Sequence, residues 1–139
     1  MDPNVRALRA KIPDTEKITI NIGFVDLGHI DLLVADKYYT NRSDFIRTAI
    51  RNQLDKHAEA TSKSVVRKSL ALGVREITRQ ELEEARASGQ SLDIRVLGLA
   101  TIAADVTPEL ARSTISSLEV LGALHASGEV KAALGDRMA

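Results

Sequence analysis

Polar and apolar residues alternate strictly over positions 17–22. The polar residues share one face, and they are Lys17, Thr19 and Asn21. The apolar residues share the other face, and they are Ile18, Ile20 and Ile22. An alternation with period two predicts a strand that is buried on one face and exposed on the other. Gly23 is expected to end it.

Two helices are predicted after this strand. Asp26 is expected to be the N-cap of the first helix. Its apolar residues recur at helical spacing, and they are Leu27, Ile30, Leu33 and Val34. Asn41 or Ser43 is expected to cap the second helix. Its apolar stripe consists of Phe45, Ile46, Ala49, Ile50 and Leu54.

One strand and two short helices bury too little apolar surface to be stable alone, and a lone strand leaves its backbone groups unpaired. The chain has no Cys, and its three His residues are far apart, so neither a disulfide nor a metal site is expected to compensate. Antiparallel pairing of two strands, with interlocked helices, solves both problems. The segment is therefore predicted to form a homodimer. Its shared core is expected to comprise Ile18, Ile20, Ile22, Ile30, Leu33, Ile46, Ile50 and Leu54.

The dipeptide Leu-Gly occurs three times in the second half of the chain, at 72–73, 97–98 and 121–122. Each pair lies in a β-like run, and each run precedes a helical stretch. These stretches are 79–87, 108–116 and 129–134, with Thr78, Thr107 and Ser127 as N-caps. The regular spacing predicts three β-α repeats in a small parallel, solenoid-like sheet with the helices on one side. The alternative is an ordinary α/β domain in which the Leu-Gly pairs recur by coincidence.

Composition is that of a globular protein, since 44% of the residues are hydrophobic and 27% are charged. Nineteen Lys and Arg residues balance nineteen Asp and Glu residues, so any affinity for nucleic acid must come from a few well-placed cations. No apolar run reaches the ~18 residues of a membrane span, no secretion signal is evident, and the lack of Cys favours a reducing cytoplasm. The expected organisation is a flexible arm (1–15), a strand-helix-helix domain (16–60) and a β-α domain (61–139), an α+β fold overall.

Residues 16–58 resemble the ribbon-helix-helix family of DNA-binding proteins, which is CopG/Arc/MetJ-like. The resemblance depends on the predicted strand at 17–22 and on the segment 40–54, in which Asn-Arg-Ser-Asp precedes an Ile-Arg-Thr-Ala-Ile-Arg helix. Family members often enter the first helix through a proline, which the segment 23–28 lacks. The resemblance does not extend to residues 60–139.

The resemblance implies that strands from two subunits form an antiparallel ribbon. Such a ribbon enters the major groove, where each base pair presents a distinct pattern of donors and acceptors. The residues expected to contact bases are Lys17, Thr19 and Asn21. The start of the second helix is expected to bind DNA phosphate, because free N–H groups and the helix dipole favour anions there. The residues expected at that contact are Asn41, Arg42 and Ser43.

The leading functional hypothesis is a sequence-specific transcription regulator that acts as a repressor, with residues 61–139 mediating oligomerisation or partner binding. One alternative is an antitoxin that represses its own operon and neutralises a toxin. A toxin partner is not favoured, because antitoxin tails are usually short and disordered until bound, whereas residues 64–137 look folded. Another alternative is a scaffold that assembles through exposed sheet edges. No arrangement of catalytic residues and no cofactor motif stands out, so neither an enzyme nor a cofactor is expected.

Overall fold

The structure is a computed structural model that describes residues 15–139. The described residues divide into two compact units, residues 15–57 and residues 58–139. The predicted arm, residues 1–15, lies outside the described residues apart from Thr15. The division falls after His57, near the boundary expected at residue 60.

The first unit contains two helices, α1 (Phe24–Ala35) and α2 (Arg42–Lys56). Helix α1 begins earlier than expected, because Gly23 occupies the N-cap position with an extended backbone. The prediction that Asp26 is the N-cap is therefore wrong. Asp26 lies instead in the first turn, where its negative charge interacts favourably with the helix dipole.

Helix α1 ends in a Schellman motif, in which two backbone hydrogen bonds close the last turn. The N–H of Tyr38 donates to the carbonyl of Leu33 at 3.0 Å, and the N–H of Lys37 donates to the carbonyl of Val34 at 3.0 Å. Lys37 adopts the left-handed conformation that this motif requires, with φ of 67°. The chain therefore turns sharply between the two helices.

The predicted strand has no partner strand among residues 15–139 of one chain. Residues 16–23 form neither helix nor strand, and no described residue of the chain pairs with them through a β-ladder. A strand is defined by hydrogen bonds to a neighbouring strand. The strand at 17–22 thus stays a prediction that depends on a second copy of the chain.

The second unit is built on a parallel sheet of three strands in the order β1-β2-β3, which confirms the predicted parallel sheet. The strands are β1 (Ala71–Ile77), β2 (Leu92–Ile102) and β3 (Ile115–His125). The three Leu-Gly pairs lie side by side across the sheet. The aligned positions are Leu72, Leu97 and Leu121 in one row and Gly73, Gly98 and Gly122 in the next.

Three helices follow the strands: α4 (Arg79–Ala87), α5 (Pro108–Thr114) and α6 (Gly128–Ala133). Their predicted N-caps are confirmed. The side chains of Thr78, Thr107 and Ser127 each accept a backbone N–H three residues ahead, at 3.2 Å. Helix α5 ends two residues before the predicted end, because the buried Ile115 already begins β3.

A further helix, α3 (Ala58–Arg67), precedes the sheet and was not predicted. Its sequence offers only Val65 and Val66 as large apolar residues, too few for a recognisable stripe. A 3-10 turn, Gly135–Arg137, follows α6. The chain then returns to β3, where the N–H of Ala139 donates to the carbonyl of Leu118 at 3.1 Å.

The core of the second unit lies between one face of the sheet and the helices that follow the strands. Its most deeply buried members come from both layers, and they are Ile77, Leu82, Val96, Ile115, Leu118, Val130 and Leu134. Burial of each such side chain contributes roughly 1.5–3 kcal/mol. This unit therefore has an extensive hydrophobic core within a single chain.

The row of glycines has a steric cause. Gly98 and Gly122 adopt φ of 137° and 126°, which residues with a side chain rarely adopt. A Cβ atom on Gly98 would also overlap the carbonyl oxygen of Gly73, and one on Gly122 would overlap that of Gly98. The Leu-Gly repeat thus reflects the close approach of neighbouring strands at one level of the sheet.

Candidate functional site

The segment 17–22 exposes its polar and its apolar face alike. The three residues predicted to contact bases are all exposed: Lys17, Thr19 and Asn21. The isoleucines between them are exposed as well, Ile18 by 77% and Ile20 by 66%. One copy of the chain therefore leaves the hydrophobic face of this segment in contact with water.

Most of the residues predicted for the dimer core are not buried in a single copy. Ile30 alone is buried among residues 15–57, while Leu33 and Ile46 are half-buried. The others are exposed, and they are Ile18, Ile20, Ile22, Ile50 and Leu54. The first unit thus has an apolar surface that α1 and α2 do not cover.

Side-chain contacts fix the beginning of α2. The Asn41 side chain accepts the backbone N–H of Asp44 at 2.8 Å, and the Asp44 carboxylate accepts the N–H of Thr40 at 2.9 Å. The rings of Tyr39 and Phe45 meet edge to face, with centroids 5.1 Å apart. These contacts select Asn41 over Ser43 as the N-cap. They also leave the backbone N–H groups of the first two helical positions without an acceptor in the helix.

Arg42, the first residue of α2, forms a bidentate ion pair with Asp31 of α1. Its Nε lies 2.7 Å from Asp31 Oδ1, and its Nη2 lies 2.8 Å from Asp31 Oδ2. The hydrogen bond from Arg42 lowers the pKa of the Asp31 carboxyl, and the same bond raises the pKa of the guanidinium. Sequence reasoning missed Asp31, because a pair eleven residues apart depends on how the two helices cross.

Lys37 lies beside the same end of α2. Together with Tyr38, Tyr39, Thr40, Asp44 and Val34 it lines an open depression of about 290 Å³. The Arg42–Asp31 pair is the one ion pair within residues 15–57, so Lys37 has no carboxylate partner in that range. The depression therefore contains one cation, Lys37, and one carboxylate, Asp44.

The outer edge strand of the sheet in the second unit carries two exposed apolar side chains. Strand β1 lies at this edge, and its side chains Leu72 and Val74 are exposed by 68% and 73%. A Cβ on Gly73 would meet no atom, in contrast to Gly98 one strand further in. The space beside β1 is therefore open to another strand.

Residues 15–139 contain no group of three or more His, Cys, Asp or Glu side chains that could hold a metal ion. None of the helices described in that range has the length and apolar character needed to cross a membrane.

Comparison with family models gives a match that covers most of the chain. A family model described as the Ribbon-Helix-Helix transcriptional regulator family matches residues 13–131. No curated protein and no solved structure matches the chain significantly. The family match continues through all three strands of the second unit, whereas the resemblance visible in the sequence ends at residue 58.

Proposed function

Because the chain belongs to the ribbon-helix-helix transcriptional regulator family, whose members bind DNA, we propose that it is a sequence-specific repressor that acts as a homodimer. The observation that carries the proposal is the exposure of both faces of residues 17–22 in one copy. Pairing with a second copy gives the apolar face a partner and leaves the polar face available to DNA.

The dimer follows from the apolar surface of the first unit. Two strands that pair antiparallel satisfy each other's backbone N–H and C=O groups. The isoleucines of the paired strands then pack on α1 and α2 of both subunits, next to Ile50 and Leu54. Both features that leave the single copy incomplete, the strand without a partner and the exposed isoleucines, are resolved by the same association.

The polar face of the paired strands is proposed to read the major groove. Lys17 can donate to guanine, Asn21 can form two hydrogen bonds with adenine, and Thr19 offers a hydroxyl and a methyl group. The start of α2 is proposed to hold a backbone phosphate with its exposed N–H groups, near Asn41, Arg42 and Ser43. Strand contacts then set the sequence preference, and helix contacts set the position on the duplex.

The test is DNA binding by the double variant Thr19→Ala/Asn21→Ala, on the sequence that the unaltered protein selects. Each base contact contributes about 1–3 kcal/mol of discrimination, so we expect the preference over a scrambled duplex to fall at least tenfold. Asn52→Ala/Thr61→Ala is the matched control, because it removes the same residue types from exposed helical positions. An unchanged preference in the Thr19/Asn21 variant would contradict the proposed reading of DNA.

We further propose that the second unit joins dimers to one another. The open edge of β1, with Leu72 and Val74 exposed, supports this role. Edge strands with exposed apolar residues tend to pair with other chains, and a charge that replaces one of those apolar residues disfavours the pairing. Leu72→Lys should therefore remove species larger than a dimer in sedimentation experiments, whereas Val66→Lys, which alters an even more exposed residue of α3, should not. A wild-type protein that remains a dimer at all concentrations, both alone and with a duplex that carries adjacent sites, would contradict this role.

An antitoxin function has less support. The second unit is a compact body with its own buried core rather than a short tail that folds on a toxin. A scaffold, unlike the proposed regulator, would assemble without DNA. The same sedimentation experiments, repeated with and without the selected duplex, separate the two, because a regulator's larger assemblies are expected to form preferentially on adjacent DNA sites.

A further inference from the structure

The ion pair between Arg42 and Asp31 indicates that Arg42 and Lys37 have different roles at the start of α2. We infer that Arg42 is a positioning residue that acts through Asp31, and that Lys37 is the cation that pairs with the DNA phosphate there. This inference rests on the proposed function, since it assigns roles within the same DNA contact.

Arg42 is poorly suited to bind phosphate directly. Two of its donors already lie 2.7 and 2.8 Å from the Asp31 carboxylate, which neutralises the guanidinium. If Arg42 turned to a phosphate, it would leave an unpaired carboxylate close to the negatively charged backbone. The new contact would thus be opposed by the loss of one ion pair and by repulsion between Asp31 and DNA.

A positioning role fits the weak packing of the first unit. Ile30 alone is buried among residues 15–57, so apolar contacts within one chain do little to fix α1 against α2. The bidentate pair joins α1 directly to the first residue of α2. Backbone N–H groups bind an anion well only when they are held in the right direction, and a link at the first helical residue fixes that direction.

Lys37 lies beside the start of α2, where its positive charge can offset the negative charge of Asp44. Asp44, in the first turn of α2, lines the same depression as Lys37 and would repel a phosphate. Since Asp31 neutralises Arg42, Lys37 is the cation that can offset Asp44. Lys37 also occupies a left-handed position where Gly is usual, at a cost of roughly 1–2 kcal/mol. The sequence thus has a charged residue where local conformation favours glycine.

The experiment is the salt dependence of binding to the selected duplex, measured on the full chain. Arg42→Gln and the charge-neutral double variant Asp31→Asn/Arg42→Gln should each weaken binding about three- to tenfold, as is typical for coupled pairs in contact. The salt slope of the double variant should stay unchanged, because it loses no phosphate contact and keeps the net charge of the unaltered protein. Lys37→Gln should lower the slope by about 2 per dimer, one for each lost phosphate contact. Lys56→Gln, at the far end of α2, is the control and should leave the slope unchanged.

The double variant Asp31→Asn/Arg42→Gln, which leaves the net charge of the pair unchanged, decides between the two roles. If Arg42 binds phosphate itself, this variant loses that contact, and its salt slope falls by about 2 per dimer. A lower slope for the double variant overturns the positioning role. An unchanged slope for Lys37→Gln overturns the phosphate contact. The swapped variant Asp31→Arg/Arg42→Asp restores the pair and should recover affinity, which a loss of folding would not allow. Failure of the proposed function itself is distinguishable, because it leaves the Thr19/Asn21 variant with full sequence preference.

Discussion

The substitution Ile20→Ser tests whether the segment 17–22 holds two subunits together. Ile20 is 66% exposed in one copy, so the change removes few contacts within the chain. Full burial of an isoleucine contributes about 1.5–3 kcal/mol, and burial of two thirds of it contributes about 1–2 kcal/mol. A dimer contains two copies of the residue and should lose about 2–4 kcal/mol. Its dissociation constant should then rise roughly 30-fold to several-hundred-fold.

Sedimentation equilibrium over a wide range of protein concentrations measures this change. We expect the transition from two chains to one to move to higher concentration in Ile20→Ser, and DNA affinity to fall with it. Val66→Ser is the matched control, because Val66 is 79% exposed but lies in the second unit. If Ile20→Ser associates like the unaltered protein, or if Val66→Ser weakens the dimer as much as Ile20→Ser does, then Ile20 does not hold the two subunits together.

Two further predictions concern the second unit. Gly98→Ala should lower its free energy of unfolding in urea by on the order of 3 kcal/mol, because the new Cβ overlaps a backbone carbonyl at positive φ, whereas Gly128→Ala, which has open space, should change it little. An ion pair with Arg75 lowers the pKa of the Glu81 carboxyl in the folded protein. The pair therefore stabilises the unit at pH values above 4.5, the ordinary pKa of the carboxyl. This stabilisation is lost as the pH falls through the lower pKa of the folded protein. Partial exposure of the pair limits this stabilisation to about 1 kcal/mol. In thermal unfolding, Glu81→Gln should therefore lose about that much less stability than the unaltered protein when the pH is lowered. A Gly98→Ala protein of normal stability, or the same loss of stability at low pH in Glu81→Gln as in the unaltered protein, would contradict these explanations.

The sequence predicts best what depends on neighbours along the chain. The N-caps Thr78, Thr107 and Ser127 were identified because a cap and its helix lie within four residues of each other. The parallel sheet was identified because Leu-Gly recurs at nearly constant spacing, and the glycines meet across the strands. Periodicity thus contained information on contacts between strands.

Contacts that depend on how helices cross were missed. The pair of Asp31 and Arg42 follows from the angle between α1 and α2, which no local pattern specifies. Helix α3 was missed because it lacks an apolar stripe, and the start of α1 was misplaced because Gly23 caps it without a side chain. Residues 17–22 form no strand in one copy of the chain, and we propose that the strand forms only when two copies pair.

Selection of DNA from a random pool of duplexes tests most directly whether the protein reads DNA as a homodimer. A homodimer that reads DNA with two equivalent strands presents the same residues twice, related by a two-fold axis. Such a homodimer should enrich a site made of two inverted half-sites, and Thr19→Ala/Asn21→Ala should no longer enrich it. A pool without an enriched sequence, or a single half-site bound by one chain, would contradict reading of DNA by a two-fold symmetric ribbon.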